Sequence, residues 1–339
     1  MKKFLIALAV FGLFGGAQAA PITVTTQKPL VIKVSHVVKD VTPKALASIE
    51  FKRIMEAKFP GRVFVEVSHD NKLFKDREES EALDLGAVDV IVPTTGKVAN
   101  LYKIPEFELF DLPFLFNTSA DIVKFTDSAS GQKLLNLINS KSKTTYAVGY
   151  WANDFQNFFG TKAIKNPDDL KGLTAVVTSG GTKSIFLNSL GVKETLVLPF
   201  SSVAKTLKKE GEYKADISSN TNSNFFSSKI YESSKYLTLS SHDVSLYVFL
   251  TNKRWFNSLP DDIKAGFLAA AKESGVYHFD VAQKAGISDL EKAKKEGVKI
   301  YTLTADEKNQ FKKKAVASHE NFLKNINKEF LNEVYQIVR

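Results

Sequence analysis

Apolar and polar positions follow two different periods along the first hundred residues. The apolar, β-branched run 30–35 predicts a buried strand, and the strict alternation of apolar and polar residues over 63–67 predicts a second. Helical patterns cover 42–57, where a proline opens the first turn, and 76–85, which a glycine ends. The apolar segment 88–92 predicts a third strand. This order of strands and helices predicts a layered α/β domain.

The same alternation returns later in the chain, and a long helical pattern follows it. Strands are predicted over 145–151 and 173–178, with a helix over 183–190. The pattern then stays helical over 262–295, which is long enough to run across two α/β units. No linker rich in proline, glycine or serine separates the units, so the chain is expected to cross between them more than once. The predicted fold class is α/β, with two lobes, a hinge, a ligand cleft between the lobes and a long helix bridging both.

The amino-terminal residues have the pattern of a secretory signal peptide. Lys2 and Lys3 precede an apolar run at 4–14, and Ala-Gln-Ala at 17–19 forms a small-x-small cleavage site. The apolar run is about half of the roughly 20 residues that span a bilayer, which disfavours the alternative of a membrane anchor. The chain has no cysteine, so it can form neither a disulfide nor a lipid-modified cysteine. We therefore expect residues 1–19 to be removed and the protein to be free in a Gram-negative periplasm.

Composition and charge disfavour several other functions. The chain has 46 basic and 37 acidic residues, and its lysines alternate with acidic and apolar positions in stretches such as 290–299 and 308–314, as on solvated helix faces. This distribution does not predict binding to nucleic acid or to a membrane surface. The five histidines are scattered, and the chain has no His-Glu-x-x-His or Gly-x-Ser-x-Gly motif. The sequence therefore predicts a binding protein with no cofactor or metal site, rather than an enzyme.

Several motifs, in order along nearly the whole chain, resemble a single family. They are Val-Ser-His-Val-Val at 34–38, Lys-Asp-Arg-Glu-Glu at 75–79, Glu-Leu-Phe-Asp-Leu-Pro-Phe-Leu-Phe at 108–116, Asn-Pro-Asp-Asp-Leu-Lys-Gly-Leu at 166–173, Pro-Phe-Ser at 199–201 and Asn-Lys-Arg-Trp-Phe at 252–256. Together they resemble the periplasmic solute-binding proteins of TRAP (tripartite ATP-independent periplasmic) transporters, of the DctP type. The resemblance implies a two-lobed periplasmic solute-binding protein fold that closes on a small organic acid, which a membrane complex then imports using an ion gradient.

The resemblance also implies a division of the chain and a set of partners. Domain I is expected to comprise 28–152 plus 246–285, and domain II 153–245 plus 286–339. The implied partners are a small-molecule ligand and the membrane subunits of a TRAP transporter, with the binding protein acting as a monomer. A ligand-binding component of a periplasmic sensing system would have the same fold, and the sequence leaves that alternative open.

The resemblance, together with the chemistry of the side chains, predicts a set of ligand-binding residues in the cleft. They are His36, Asp76, Thr94, Trp151, Asn153, Phe155, Gln156, Val176, Thr178, Phe200 and Asn220. Structural roles remain as alternatives: His36 could be satisfied by its backbone neighbours, and Asp76 could cap a helix. Lys97 lies beside the cleft positions and is expected to be a solvated surface lysine.

The family's carboxylate-binding arginine has no counterpart in this chain. In most members a strand after Lys-Gly-Leu carries an arginine, whose planar guanidinium binds both oxygens of a carboxylate. In this sequence that position is Val176. We therefore expect a ligand that is less charged or more apolar than a four-carbon diacid. The competing hypothesis is that the helix start at 178–181, or His36, replaces the arginine.

Overall fold

The computed structural model describes residues 21–338, whose strands form one mixed sheet; the predicted signal peptide, 1–19, lies outside the described residues. The strands are β1 (Leu30–Ser35), β2 (Val63–Ser68), β3 (Val90–Ile91), β4 (Thr145–Gly160), β5 (Thr174–Val177), β6 (Glu194–Val197), β7 (Ile217–Asn220), β8 (Tyr236–Asn252) and β9 (Lys299–Thr302). Their order across the sheet is β2-β1-β3-β8-β4-β7-β5-β6, and β9 pairs with β8.

Helices connect the strands in the alternation that the sequence predicts. They are α1 (Pro43–Lys58), α2 (Glu79–Asp84), α3 (Thr95–Tyr102), α4 (Ser119–Thr126), α5 (Ala129–Lys141), α6 (Thr182–Ser189), α7 (Phe200–Leu207), α8 (Asn222–Ser227), α9 (Lys253–Ser258), α10 (Asp261–Lys295), α11 (Ala305–Phe322) and α12 (Lys328–Val338), with short 3₁₀ helices at Pro105–Asp111, Pro167–Leu170 and Ile230–Glu232. Helix α1 begins as predicted, because the Thr42 side chain accepts a hydrogen bond from the Ala45 N–H and Pro43 occupies the first turn. Within residues 21–338, no helix is both long and apolar enough to cross a membrane.

Two long antiparallel strands, β4 and β8, join the halves of the sheet. We call the half built on β1, β2 and β3 the first lobe and the half built on β5, β6 and β7 the second lobe. Strand β3 pairs with β8, and β7 pairs with β4. The pairing of β4 with β8 loses register between the pairs Ala152–Leu246 and Phe155–Val244. Two further shifts lie at Ala147/Gly149 and Gln156/Phe158, and such irregularities bend and twist strands. The predicted two-lobed α/β fold is confirmed.

Helix α10 bridges the two lobes, as the sequence predicts. It is 35 residues long and contacts α1 and β4 as well as α8 of the second lobe. Two glycines allow it to lie close to β4. A Cβ at Gly275 would lie 2.9 Å from Cδ1 of Trp151, and a Cβ at Gly286 would collide with the Asp154 carboxylate. A larger residue at either glycine would therefore push the helix away from the crossing strand.

The last two helices, α11 and α12, pack against different parts of the protein. The predicted division of the chain assigns 286–339 to domain II, and α11 does pack against α6 of the second lobe. Helix α12 instead contacts α4 and α5, and its side chains Phe330, Leu331 and Val334 belong to an apolar core that also contains residues of these helices. The chain therefore returns towards the first lobe after α11.

Candidate functional site

A cavity of about 40 Å³ lies where both lobes meet the crossing strands. The first lobe contributes Val37, Val38, Lys44, Asp76, Glu79, Pro93, Thr94 and Lys97; β4 and β8 contribute Gln156, Ser245 and Tyr247; the second lobe contributes Thr178, Phe200, Asn220 and Asn224. A neighbouring cavity of about 190 Å³ shares part of this lining and extends between α3 and the end of β6. A molecule held here would contact both lobes and the strands that join them.

Part of the predicted binding set lines this cavity: Asp76, Thr94, Gln156, Thr178, Phe200 and Asn220. Thr94 follows β3, Thr178 follows β5, and Phe200 lies just beyond β6. Asn220 is the last residue of β7. Ligands of open α/β sheets bind in the crevice beyond the carboxyl ends of the strands, and the sheet brings these residues together in that crevice.

Three predicted residues on β4 lie behind the cavity instead. Trp151 is fully buried, and its Nε1 donates to the Ala271 carbonyl of α10 at 3.1 Å. Phe155 packs in the apolar core. Asn153 Nδ2 donates to the Tyr247 hydroxyl at 3.2 Å. Since Tyr247 lines the cavity, Asn153 supports the site through that tyrosine rather than by facing the cavity itself.

Val176 is part of the core of the second lobe. Its side chain is fully buried in an apolar cluster with Phe159, Val203 and Phe225, and its carbonyl accepts a hydrogen bond from Ser218 Oγ at 2.6 Å. It does not line the cavity. The position at which the resemblance places an arginine therefore supplies packing in this protein and no polar group to the cleft.

The start of α6, one suggested replacement for that arginine, is already occupied by a carboxylate of the protein. Glu108 Oε2 accepts hydrogen bonds from the Thr182 N–H at 2.9 Å and from Thr182 Oγ1 at 2.7 Å. A side chain at Gly181 would collide with the Glu108 carboxylate, and φ at Gly181 is +59°. The turn at 178–181 therefore allows Glu108 to dock on the positive end of the helix. An outside anion would have to displace it.

His36, the other suggested replacement, is buried and neutral. It is 1% exposed, and neither ring nitrogen has a hydrogen-bond partner among the described residues. Burial, reinforced by the charge of Lys44, lowers the pKa of His36 to about 3. The imidazole stacks on His69 with ring centroids 6.3 Å apart and does not line the cavity. His36 therefore provides no positive charge for an anion at neutral pH.

Lys97 is not the solvated surface lysine that the sequence predicts. It lines the cavity and forms an ion pair with Asp76, whose side chain is 5% exposed. Burial, followed by the charge of Lys44, lowers the pKa of Lys97 to about 7. Asp76 does not cap α2, since the helix begins at Glu79 and its cap residue is Glu78. Its observed role is to pair with Lys97.

Eight other lining residues were missed from the sequence: Val37, Val38, Lys44, Glu79, Pro93, Asn224, Ser245 and Tyr247. Glu79 accepts a hydrogen bond from Ser35 Oγ at 2.9 Å, and burial raises its pKa to about 7 against the opposing charge of Lys44. The Lys44 ammonium lies 4.2 Å above the Tyr247 ring. One signal was available for Lys44: it stands in the first turn of a helix, where a lysine is electrostatically unfavourable.

Comparisons with known proteins agree with this arrangement. Residues 34–325 match the family described as bacterial extracellular solute-binding protein, family 7 (DctP). The C4-dicarboxylate-binding periplasmic protein DctP of Rhodobacter capsulatus is 31% identical over 97% of this chain and 98% of its own length. The C4-dicarboxylate-binding protein DctB of Bacillus subtilis is 28% identical over 92% of this chain and 87% of its own length.

Solved structures show the same fold with ligands bound. A TRAP periplasmic solute-binding protein from Shewanella oneidensis, with bound succinate, superposes with a TM-score of 0.86 at 29% identity and covers 92% of this chain and 100% of its own. The sugar acid binding protein DctPAm from Advenella mimigardefordensis, in complex with galactonate, superposes with a TM-score of 0.85 at 27% identity. The match covers 91% of this chain and 98% of the DctPAm chain. Family members are solute-binding proteins rather than enzymes. With its cleft between two lobes and its match along most of the chain, this protein belongs to the family 7 bacterial extracellular solute-binding proteins, the DctP family.

Proposed function

We propose that this protein captures a small organic acid between its lobes and delivers it to the membrane subunits of a TRAP transporter. The observation that carries the proposal is the cavity lined by both lobes and by the strands that cross between them. A ligand that touches both lobes stabilises their closed arrangement, which a membrane partner can distinguish from the open one. The relatives support an acid as the ligand, since their names and structures include C4-dicarboxylates, succinate and galactonate.

The remaining parts of the proposal follow from the sequence. Residues 1–19 direct export and are removed, and the mature protein acts in the periplasm as a monomer without catalytic activity. Domain I comprises 28–152 plus 246–285, and domain II 153–245 plus 286–339, except that the contacts of α12 favour its assignment to domain I. The binding set is the predicted group that lines the cavity together with Lys44, Glu79, Lys97 and Tyr247.

A thermal-shift screen of the mature chain tests the proposed function. The panel contains acids with one carboxylate (D-galactonate, D-glucuronate), acids with two (succinate, L-malate) and neutral sugars. At least one acid is expected to stabilise the fold, because a ligand that binds only the folded state adds about 2.7 kcal/mol at 100 times its Kd. Isothermal titration of each active compound then gives the affinity. Stabilisation by a neutral sugar but by no acid would contradict the proposal.

A further inference from the structure

Lys44 is a buried lysine whose ammonium contacts no carboxylate of residues 21–338. Its residue is 4% exposed, and its Nζ donates one hydrogen bond, to the Val92 carbonyl at 3.1 Å. Among residues 21–338 no carboxylate oxygen lies within 4.0 Å of this ammonium. The contrast is Lys183, equally buried, whose Nζ lies 2.9 Å and 3.3 Å from two carboxylates. An ammonium has three donors, so Lys44 has two besides the one given to Val92, and its other contact is with the face of the Tyr247 ring, 4.2 Å away.

The position of Lys44 in α1 makes this burial more unfavourable. It is the second residue of a 16-residue helix, at the end where the helix dipole is positive. A cation is disfavoured there by the dipole, and burial without a partner disfavours it again. Such a conflict between local preference and structure is expected at functional sites. An anion bound at the Lys44 ammonium would offset both the repulsion by the helix dipole and the cost of burying an unpaired charge.

The charged groups that line the cavity favour the binding of one carboxylate rather than two. Lys97 is already matched by Asp76. Glu79 is the remaining acidic group of the lining; it accepts a hydrogen bond from Ser35 Oγ at 2.9 Å, and burial raises its pKa to about 7. Lys44 is therefore the lysine of this cavity whose ammonium no carboxylate of residues 21–338 contacts. Within the 40 Å³ cavity a second ligand carboxylate would face Asp76 and Glu79, since Arg77 lines only the neighbouring cavity, and an uncompensated carboxylate is costly in a buried site.

The rest of the lining offers neutral donors and acceptors. The Asn220 Oδ1 atom already accepts from the Thr221 N–H and from Asn224 Nδ2, both at 2.9 Å, which leaves the Asn220 amide N–H groups to donate. The Tyr247 hydroxyl accepts from Asn153 Nδ2 and keeps its own proton for donation. Gln156 adds another amide to the cavity. This set suits hydroxyl or carbonyl oxygens better than a second charge.

We infer that Lys44 binds the ligand's carboxylate in place of the arginine that is absent at Val176, and that the cleft selects acids with a single carboxylate. This inference rests on the proposed function. The remaining polar groups of the acid hydrogen-bond to Gln156, Asn220 and Tyr247. The preferred ligand class is therefore a hydroxylated or oxo monocarboxylic acid.

Isothermal titration of Lys44→Met and Lys44→Gln against the same acids tests this inference. For the one-carboxylate acid that the wild type binds most tightly, we expect both variants to lose about 100-fold in affinity, since truncation removes a charge-assisted hydrogen bond in a buried site. Lys52→Gln is the matched control, because Lys52 lies two turns along α1, is paired with Glu56 and does not line the cavity. The control should bind within about twofold of wild type.

The stability of the unliganded variants separates a binding role from a structural one. If Lys44 serves the ligand, Lys44→Met should melt at the same temperature as wild type or higher, because an unpaired buried charge is removed. A lower melting temperature together with unchanged affinity would assign Lys44 a structural role and overturn the inference. Tighter wild-type binding of succinate than of every one-carboxylate acid would overturn the selectivity. Failure of all the acids to bind wild type would instead reject the proposed function itself.

Discussion

Replacing Lys183 with methionine is expected to lower the free energy of unfolding by about 3–5 kcal/mol, because it leaves two buried carboxylates without their cation. The Lys183 ammonium lies 3.3 Å from Asp111 of the 3₁₀ helix and 2.9 Å from Asp243 of β8. Burial opposes its charge, but these two carboxylates outweigh it and raise the pKa of Lys183. The interaction ties the second lobe to the crossing strand and to the first lobe. Urea unfolding at pH 7.5 measures the loss.

The pH dependence of this loss identifies its cause. Burial raises the pKa values of Asp111 and Asp243, and a carboxyl with a raised pKa in the folded state stabilises the fold at low pH and loses that stabilisation as pH rises. The deficit of Lys183→Met should therefore be smaller at pH 5 than at pH 7.5. Lys284→Met, which breaks an exposed pair with Asp280, should change stability by less than about 1 kcal/mol. An equal, small effect in both variants would show that the buried ion cluster contributes nothing.

Val176→Arg is expected to destabilise the fold by about 4 kcal/mol or more and to gain no affinity for diacids. The substitution places a charge among Phe159, Val203 and Phe225, where no partner is available. The control is Val31→Arg on β1, where the side chain is 39% exposed and the arginine can reach water. Urea unfolding and titration with succinate measure both effects. A stable Val176→Arg protein that binds succinate more tightly than wild type would show that this position faces the ligand after all.

The fold was largely predictable because its signals are local. Apolar periodicity located the first strands, and the uninterrupted helical pattern located α10 to within one residue at its amino end, Asp261. Strand β8 was not predicted, since Ser240, Ser241 and His242 interrupt its apolar pattern. These polar residues are tolerated there because they have hydrogen-bond partners: Ser240 Oγ bonds to His242 Nδ1 of the same strand at 2.7 Å, and the Ser241 N–H donates to Asn157 Oδ1 of β4 at 3.0 Å.

The site was only partly predictable because its electrostatics depend on burial. Residues at or just beyond the ends of strands, such as Thr94 and Asn220, could be placed at the cleft from the resemblance to the family. The burial of Lys44 and Lys97 could not be predicted, because a lysine in a polar segment normally lies in water. Their surroundings come from other parts of the chain: the Tyr247 ring of β8 lies with its centroid 4.2 Å from the Lys44 ammonium, and Asp76 pairs with Lys97.

Small-angle scattering with and without ligand tests most directly the claim that the lobes close on a bound acid. We expect the strands to bend at the register break between Ala152–Leu246 and Phe155–Val244, because a ligand that contacts both lobes favours the closed state. The measurement uses the acid that gives the largest thermal shift, at a concentration that saturates the protein by titration. We predict a decrease in the radius of gyration. An unchanged radius at proven saturation would contradict the account.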